Sequence, residues 1–302
     1  MTAECDRMQP GGSSGTVEPL WLPPPGEPPG TCAGRVPPVT DEACFLYEDG
    51  PALLDPPTSD RDLIRYRWMI GHQASFHIWQ WLDARLSVLA HSDRPDDHAV
   101  REVALGYDCY SALLLYSGSG TAAQYEAHVR TSMRRHHPAF SGQWAPDHQR
   151  LPALCRSVLD AGPPHAMTPL RAAIDRNHLI HKAVADRLVP GGASLLRGTG
   201  RRPGTAPTQS ELDCYDAYFG VRRSQVCRPS LVAQLVRRMA QIVRDVSLNG
   251  LYPWGHVTAA TDSLRSAVQR ITAQTPQLFT AAARLQYPCR ATCATPPSGG
   301  DR

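Results

Sequence analysis

The sequence has no uninterrupted apolar run long enough to span a bilayer, and its N-terminus has no basic stretch followed by an apolar one. These two absences argue against a membrane protein and against a secretory signal. The nine cysteines are irregularly spaced and form no CxxC motif, which argues against a disulfide framework. We therefore expect a cytoplasmic protein with reduced thiols.

Charge and short motifs exclude further classes. Lys and Arg total 31 against 28 Asp and Glu, and the basic residues are scattered, so the chain lacks the basic patch typical of nucleic-acid binding. The loop at 195–202 could wrap a carboxylate or phosphate with its backbone N–H groups. It lacks the Lys-Ser/Thr of a P-loop, and nothing in the chain resembles a Ser-His-Asp or Cys-His nucleophile set.

Composition divides the chain into three parts. Residues 1–40 and 287–302 are rich in Pro, Gly, Ser and Thr, so we expect a flexible, disordered arm and tail that cannot bury enough apolar surface to order alone. Residues 41–286 form the expected helical domain, which is long enough to bury a sizeable core.

Apolar residues at helical spacing predict an all-α body, and strand-like alternation is nearly absent. Asp96 has the chemistry of an N-cap, and Thr168 with Pro169 that of a helix start. The connection at 189–210 exceeds the usual loop length, which favours a lid or a binding role. The expected helices cover 60–90, 96–116, 121–135, 168–188, 211–219, 230–249 and 258–274.

His72 lies in an aromatic-rich stretch of helical period, at residues 67–79, beside Trp68, Phe76 and Trp79. Burial there lowers the pKa of an imidazole and keeps it neutral at pH 7, so that it can accept a proton. A hydrogen-bonded core histidine would leave the same pattern, and that alternative stays open.

His181 shares one face of its expected helix with Val184 and Leu188, so we expect it to point inward. A neutral imidazole is a good axial ligand for heme iron, and the small Ala185 one turn later leaves room for a flat macrocycle. His178 could be the ligand instead, and a structural histidine is again the alternative. Two such histidines on separate helices suggest a heme between them, with His72 working on the opposite face from His181.

Short motifs resemble those of tryptophan 2,3-dioxygenase. His-Gln-Ala at 72–74 resembles that family's distal-histidine helix, and His181 with Arg187 six residues on resembles its proximal-histidine helix. Gly-Thr-Gly at 198–200 lies where that family has a loop near the substrate and a heme propionate. The resemblance implies an all-α helical bundle with heme between core helices. The residues then expected at the heme are His181, Trp68, Gly198 and Thr199, and Thr199 is also expected at the substrate.

A closer likeness, over roughly residues 60–256, is to heme-dependent L-tyrosine 3-hydroxylases of the same superfamily. The motifs at 137–142, 177–184, 215–220 and 249–255 carry it. It implies a peroxygenase-type oxidoreductase that hydroxylates L-tyrosine beside its hydroxyl group, giving L-DOPA with hydrogen peroxide as the oxidant, in antibiotic biosynthesis. Family members are often oligomers, which leaves a homo-oligomer open.

Departures from these families refine the expectation. The dioxygenase's carboxylate-binding Arg falls near Glu126 here, so Arg130 or the 195–202 loop is expected to hold the substrate carboxylate, with Tyr215 lining the pocket. A related 3-methyltyrosine hydroxylase holds heme covalently by a Cys where this chain has Ala185, which implies one noncovalent heme b per chain. An O2-dependent tryptophan or methyltryptophan oxygenase and a cofactor-free helical binding module are the alternatives.

Overall fold

Helices dominate the computed structural model, which describes residues 17–30, 55–92, 96–192, 194–199, 205–252 and 262–285. The predicted all-α class is therefore confirmed. Within the described ranges, no helix combines the length and apolarity needed to cross a bilayer. In chain order the elements are β1 (Leu20–Leu22), α1 (Asp60–Ala90), α2 (Asp97–Ser117), α3 (Ala122–Gln124), a π-helix (Tyr125–Arg130), α4 (Thr131–His136), 3-10 turns at Gly142–Trp144 and Pro146–His148, α5 (Leu151–Ala161), α6 (Pro164–Leu188), α7 (Leu195–Gly198), α8 (Gln209–Tyr218), β2 (Val221–Arg223), α9 (Arg228–Asn249) and α10 (Asp262–Ala283).

Helix α2 is the centre of the bundle, because α1, α6 and α10 all pack against it. Small residues permit this close approach. A Cβ atom added at Gly71 of α1 would lie 2.0 Å from the Ser117 hydroxyl oxygen, and one at Gly118 would lie 2.7 Å from a methyl group of Val184 on α6. The helices that carry His72 and His181 are therefore both held against one central helix.

The N-terminal segment is part of the fold. Strand β1 pairs in parallel with β2, Leu20 opposite Val221 and Leu22 opposite Arg223. Leu20 and Leu22 are fully buried. The expectation of a flexible arm over 1–40 is therefore wrong for residues 17–30. The remaining residues of that arm and the tail at 287–302 lie outside the described residues.

Helix boundaries differ from the prediction where packing overrides the local signal. Helix α6 begins at Pro164 rather than at Thr168. The fixed φ of proline suits the first position of a helix, and the additional turn buries Met167 completely. Helix α5 was not predicted at all, although it buries Leu151, Cys155 and Val158. The expected 121–135 helix contains a π-helical turn at Tyr125–Arg130.

Candidate active site

His72 is held in one orientation on α1. Its Nδ1 lies 2.7 Å from the Trp68 carbonyl oxygen, which can only accept, so Nδ1 carries the proton and Nε2 keeps a free lone pair. The imidazole lies between the Trp68 ring, with ring centroids 4.2 Å apart, and the Phe219 ring, which stacks on it at 4.5 Å with 12° between the planes. This sandwich immobilises the side chain.

The electrostatics of His72 match the sequence prediction of a neutral imidazole. Burial lowers its pKa to about 4, nearby His181 adds to the shift, and the hydrogen bond to the Trp68 carbonyl opposes it. The ring is nevertheless only half-buried. Because the side chain is crowded by protein and still has accessible surface, a neutral His72 can meet a small molecule there. We call the accessible surface around His72 the cleft.

His181 lies on the accessible side of α6, and the expectation that it shares the buried face is wrong. That face consists of residues such as Ile180, Ala183, Val184 and Leu188, whereas His181 retains exposed surface. Surrounding protein still lowers its pKa by desolvation, with a smaller contribution from His178. The imidazole lies close enough to His72 to lower the pKa of that ring, which places His181 at the same cleft.

A third histidine of this cleft was missed by the sequence reasoning. His148 ends the second 3-10 turn, and burial followed by the influence of His181 and His178 lowers its pKa to about 4. Its ring contacts Trp79 at 5.4 Å and Tyr110 at 6.3 Å between centroids. No periodicity marks this residue, because it stands in a short turn that only tertiary packing brings to α1 and α2.

The cleft holds one candidate ligand for the metal of a cofactor. Within the described ranges no three His, Cys, Asp or Glu side chains converge on one point as a metal site. His181, neutral and accessible, has the chemistry of a single axial ligand. The indole N–H of Trp68 is buried without a hydrogen-bond partner in the described part of the chain, and Ala185 is exposed one turn beyond His181. The residues present therefore fit a flat macrocycle with polar edges.

Two of the three residues expected at the substrate lie near this cleft. Tyr215 is buried beside Phe219 at 4.9 Å and stacks on Phe140 at 5.4 Å between centroids. Arg130 pairs with Glu126 at 2.8 Å and influences Tyr125, whose ring contacts Trp68. Tyr215 thus belongs to the aromatic cluster around His72, and Arg130 lies near its edge at Tyr125.

The structure does not bring Gly198 and Thr199 to the cleft by any contact in the described residues. The Thr199 hydroxyl donates to the Leu196 carbonyl at 2.7 Å, and nothing lies within 4 Å of the position of a Cβ atom on Gly198. Residues 200–204 of this loop lie outside the described residues.

Arg187, six residues after His181, has a packing role in the structure. Its guanidinium donates to the carbonyl oxygens of Gly118 and Gly120 and lies 4.0 Å from the centre of the Tyr252 ring. It thereby ties the end of α2 to α6 and stabilises the position of the His181 helix.

The fold and the cleft define an all-α protein with neutral imidazoles on two helices that share a central third helix. The family model of the SfmD 3-methyl-L-tyrosine peroxygenase matches residues 23–173, half of the chain. The chain belongs to this family, and it is a peroxygenase acting on a tyrosine-type substrate. The matched region includes His72 and His148 and ends before His181. No curated protein matched the chain in a sequence comparison.

Proposed function

We propose that this peroxygenase uses heme b to hydroxylate L-tyrosine beside its phenolic hydroxyl, giving L-DOPA, as a step in antibiotic biosynthesis. One observation carries the proposal: a neutral, oriented His72 and a neutral, accessible His181 line one cleft, in a family named for peroxygenation of a tyrosine. The overall reaction consumes one hydrogen peroxide per tyrosine, places one oxygen on the ring and releases one water.

His181 is the residue that would hold the heme, through its neutral imidazole. When bound, heme supplies the iron at which peroxide is activated. The indole N–H of Trp68, which has no hydrogen-bond partner among the residues that the structure describes, would donate to a polar edge of the macrocycle. Ala185 offers no thiol for a covalent link, which supports noncovalent heme.

His72 would orient the substrate phenol and accept its proton. The hydrogen bond from Nδ1 to the Trp68 carbonyl leaves Nε2 as the accepting atom. Because the ring is clamped between Trp68 and Phe219, the acceptor does not have to be ordered when substrate binds. Removing the phenolic proton raises the electron density of the ring carbon beside the oxygen, which is the carbon that is hydroxylated.

The substrate carboxylate is assigned to Arg130 in this proposal. Its guanidinium already pairs with Glu126, whose carboxylate is about half exposed, so a substrate carboxylate would share or replace that partner. Tyr215 and the neighbouring aromatic rings would enclose the phenol ring.

The test is an absorption spectrum of protein purified with heme supplied, before and after L-tyrosine, followed by peroxide and product analysis. A Soret band at one heme per chain, a shift on adding L-tyrosine and formation of L-DOPA are the expected results. Absence of a Soret band under heme-replete conditions contradicts the cofactor. Turnover with O2 and tryptophan instead contradicts the substrate and oxidant.

A second substrate is favoured by the family match, since the family is named for 3-methyl-L-tyrosine. Comparing kcat/KM for L-tyrosine and 3-methyl-L-tyrosine at saturating peroxide distinguishes the two. A higher kcat/KM for the methylated substrate would replace L-tyrosine in the proposal and leave the roles of His72 and His181 unchanged.

A further inference from the structure

The side chain of Gln73, next to His72 on α1, links three distant parts of the chain. Its amide nitrogen donates to the Phe219 carbonyl at 2.9 Å and to the Glu18 carbonyl at 3.0 Å. Its amide oxygen accepts from Arg238 Nε at 2.7 Å. Gln73 is 1 % exposed, so each of these bonds is shielded from water.

Phe219 is the residue through which Gln73 reaches the cleft. Its carbonyl is bound by Gln73, while its ring stacks on the imidazole of His72. The turn that follows depends on Gly220, whose φ of +66° favours glycine, and the Gly220 carbonyl accepts from the Leu20 N–H at 3.0 Å. The position of the stacking ring is therefore set jointly by α1 and β1.

Arg238 and Glu18 complete the network on the other side of Gln73. Arg238 is fully buried, and it donates to the Glu18 and Pro19 carbonyls as well as to Gln73. The Glu18 carboxylate pairs with Arg238 and with Arg237. The Glu18 carboxylate thus balances the charge of Arg238. Because the Arg238 N–H can only donate, it must face the Gln73 amide oxygen, and this fixes the orientation of the Gln73 amide.

We propose that Gln73 is a positioning residue for His72, which holds the Phe219 ring against the imidazole and makes the N-terminal strand β1 a functional part of the site. The catalytic consequence rests on the proposed role of His72 as the proton acceptor. The structural consequence is one orientation of the His72 ring, which keeps Nδ1 within reach of the Trp68 carbonyl and so maintains a single tautomer. This consequence does not depend on the proposed role.

Gln234 provides a matched control. It is also a buried glutamine that binds β1, since it accepts from the Trp21 N–H at 2.8 Å and donates to the Trp21 carbonyl at 3.0 Å. It stands on α9 and has no contact with Phe219 or His72 among the interactions described. Gln73→Met and Gln234→Met each remove hydrogen bonds to the N-terminal segment at residues 18–21 without a large change in volume.

The primary experiment is NMR of protein labelled with ¹⁵N-histidine, at neutral pH, without heme, substrate or peroxide. The His72 signals are assigned by their loss in His72→Gln. In the parent protein and in Gln234→Met we expect one neutral tautomer with the proton on Nδ1. In Gln73→Met we expect the two ring-nitrogen shifts to converge as the tautomers exchange. Gln73→Glu should behave like Gln73→Met, because it keeps an acceptor for Arg238 and loses both donors.

Phe219→Leu keeps the proposal testable if Gln73→Met does not fold, because it removes the stacked ring and leaves the Gln73 hydrogen bonds in place. It should reproduce the tautomer exchange. An unchanged His72 tautomer in the Gln73 variants or in Phe219→Leu would overturn the proposal, and so would equal changes in Gln73→Met and Gln234→Met.

Turnover is the second readout. With heme and peroxide, Gln73→Met should lower kcat about tenfold with little change in KM, as expected for a misplaced proton acceptor. Gln234→Met should lower thermal stability and leave kcat within about twofold. Because the NMR measurement needs no reaction, failure of the hydroxylation proposal and failure of the positioning proposal give different results.

Discussion

The three histidines of the cleft differ in what surrounds each imidazole. His72 is clamped by Trp68 and Phe219, with its Nδ1 proton committed to a carbonyl. His148 rests on Trp79 and Tyr110, whereas His181 has accessible surface on α6. An immobile imidazole suits proton transfer, and an accessible one suits ligation. The two proposed roles follow from this difference.

Substitution separates these roles. His181→Ala should abolish retention of one heme per chain, because it removes the axial ligand, and the Soret absorbance of heme-reconstituted protein measures this. Retention of heme by His181→Ala would instead indicate His178 as the ligand.

His72→Gln should retain heme and lose turnover by about 10²–10⁴-fold, the usual contribution of a general base. Unimpaired turnover of His72→Gln would contradict the proposed role of His72.

At the level of elements, close contacts between helices set the width of the bundle. Gly71 meets Ser117 where α1 crosses α2. Ser117 is buried and its hydroxyl already donates to the Leu113 carbonyl at 2.8 Å, so it has little freedom to move away. The close approach of α1, which carries His72, to α2 therefore depends on the absence of a Cβ atom at Gly71.

Gly71→Ala should destabilise the protein by about 1–3 kcal/mol, despite the better helix propensity of alanine, since the added Cβ overlaps the Ser117 hydroxyl. Urea unfolding measures the change. Combining it with Ser117→Ala should recover part of the loss, because the overlapping oxygen is removed. No recovery in the double variant would show that the clash lies elsewhere.

A second prediction concerns the stability that the N-terminal segment with strand β1 contributes. Removing residues 1–30 takes away one or more hydrogen-bond partners of each of four side chains, those of Gln73, Gln80, Gln234 and Arg238. Each buried polar group left unpaired costs about 1–3 kcal/mol. We expect a loss of at least about 3 kcal/mol in urea unfolding relative to a chain that lacks only residues 1–16. Equal stability of the two truncated chains would contradict the structural role of β1.

For the whole molecule, buried histidines make stability depend on pH. Burial lowers the pKa to about 4 for His72, about 3 for His77 and about 4 for His148. In the unfolded chain these groups titrate near 6.5. Between these values the unfolded state binds protons that the native state does not, so stability is greatest above pH 6.5 and falls as the pH drops toward 4. Burial also raises the pKa of the Asp83 and Asp216 carboxyls. In the pH range where these carboxyls titrate, the native state binds protons more readily than the unfolded state, so their contribution to stability increases as the pH falls.

The free energy of unfolding should therefore decrease on acidification. Each of these three histidines adds about 0.7 kcal/mol per pH unit to the slope at pH 6.5 and about 1.4 kcal/mol per pH unit well below it. Urea unfolding at several pH values between about 5 and 7 measures this slope. His148→Gln should flatten it by the contribution of one group. A slope that is the same in the variant would show that His148 titrates normally in the folded protein.

The local sequence determined most of the helices and indicated a neutral His72. Ser59 and Asp96 cap α1 and α2 by accepting from the first backbone N–H groups, an interaction that a few neighbouring residues define. Trp68, Phe76 and Trp79 lie within two turns of His72, so the spacing predicted a lowered pKa. The stacked Phe219 and the nearby His181, which also surround the imidazole, come from distant parts of the chain.

Only the tertiary structure decided the pairing of β1 with β2, the arrival of His148 at the cleft and the accessible side on which His181 lies. Leu20 and Val221 meet across two hundred positions, and Gln73 reaches Phe219 across 146. Such contacts depend on how whole helices pack, and a three-residue strand or a short turn carries too few residues for a periodic signal. The Pro- and Gly-rich composition that predicted a flexible arm describes what a segment does alone, whereas residues 17–30 gain their partners from α1, α9 and β2.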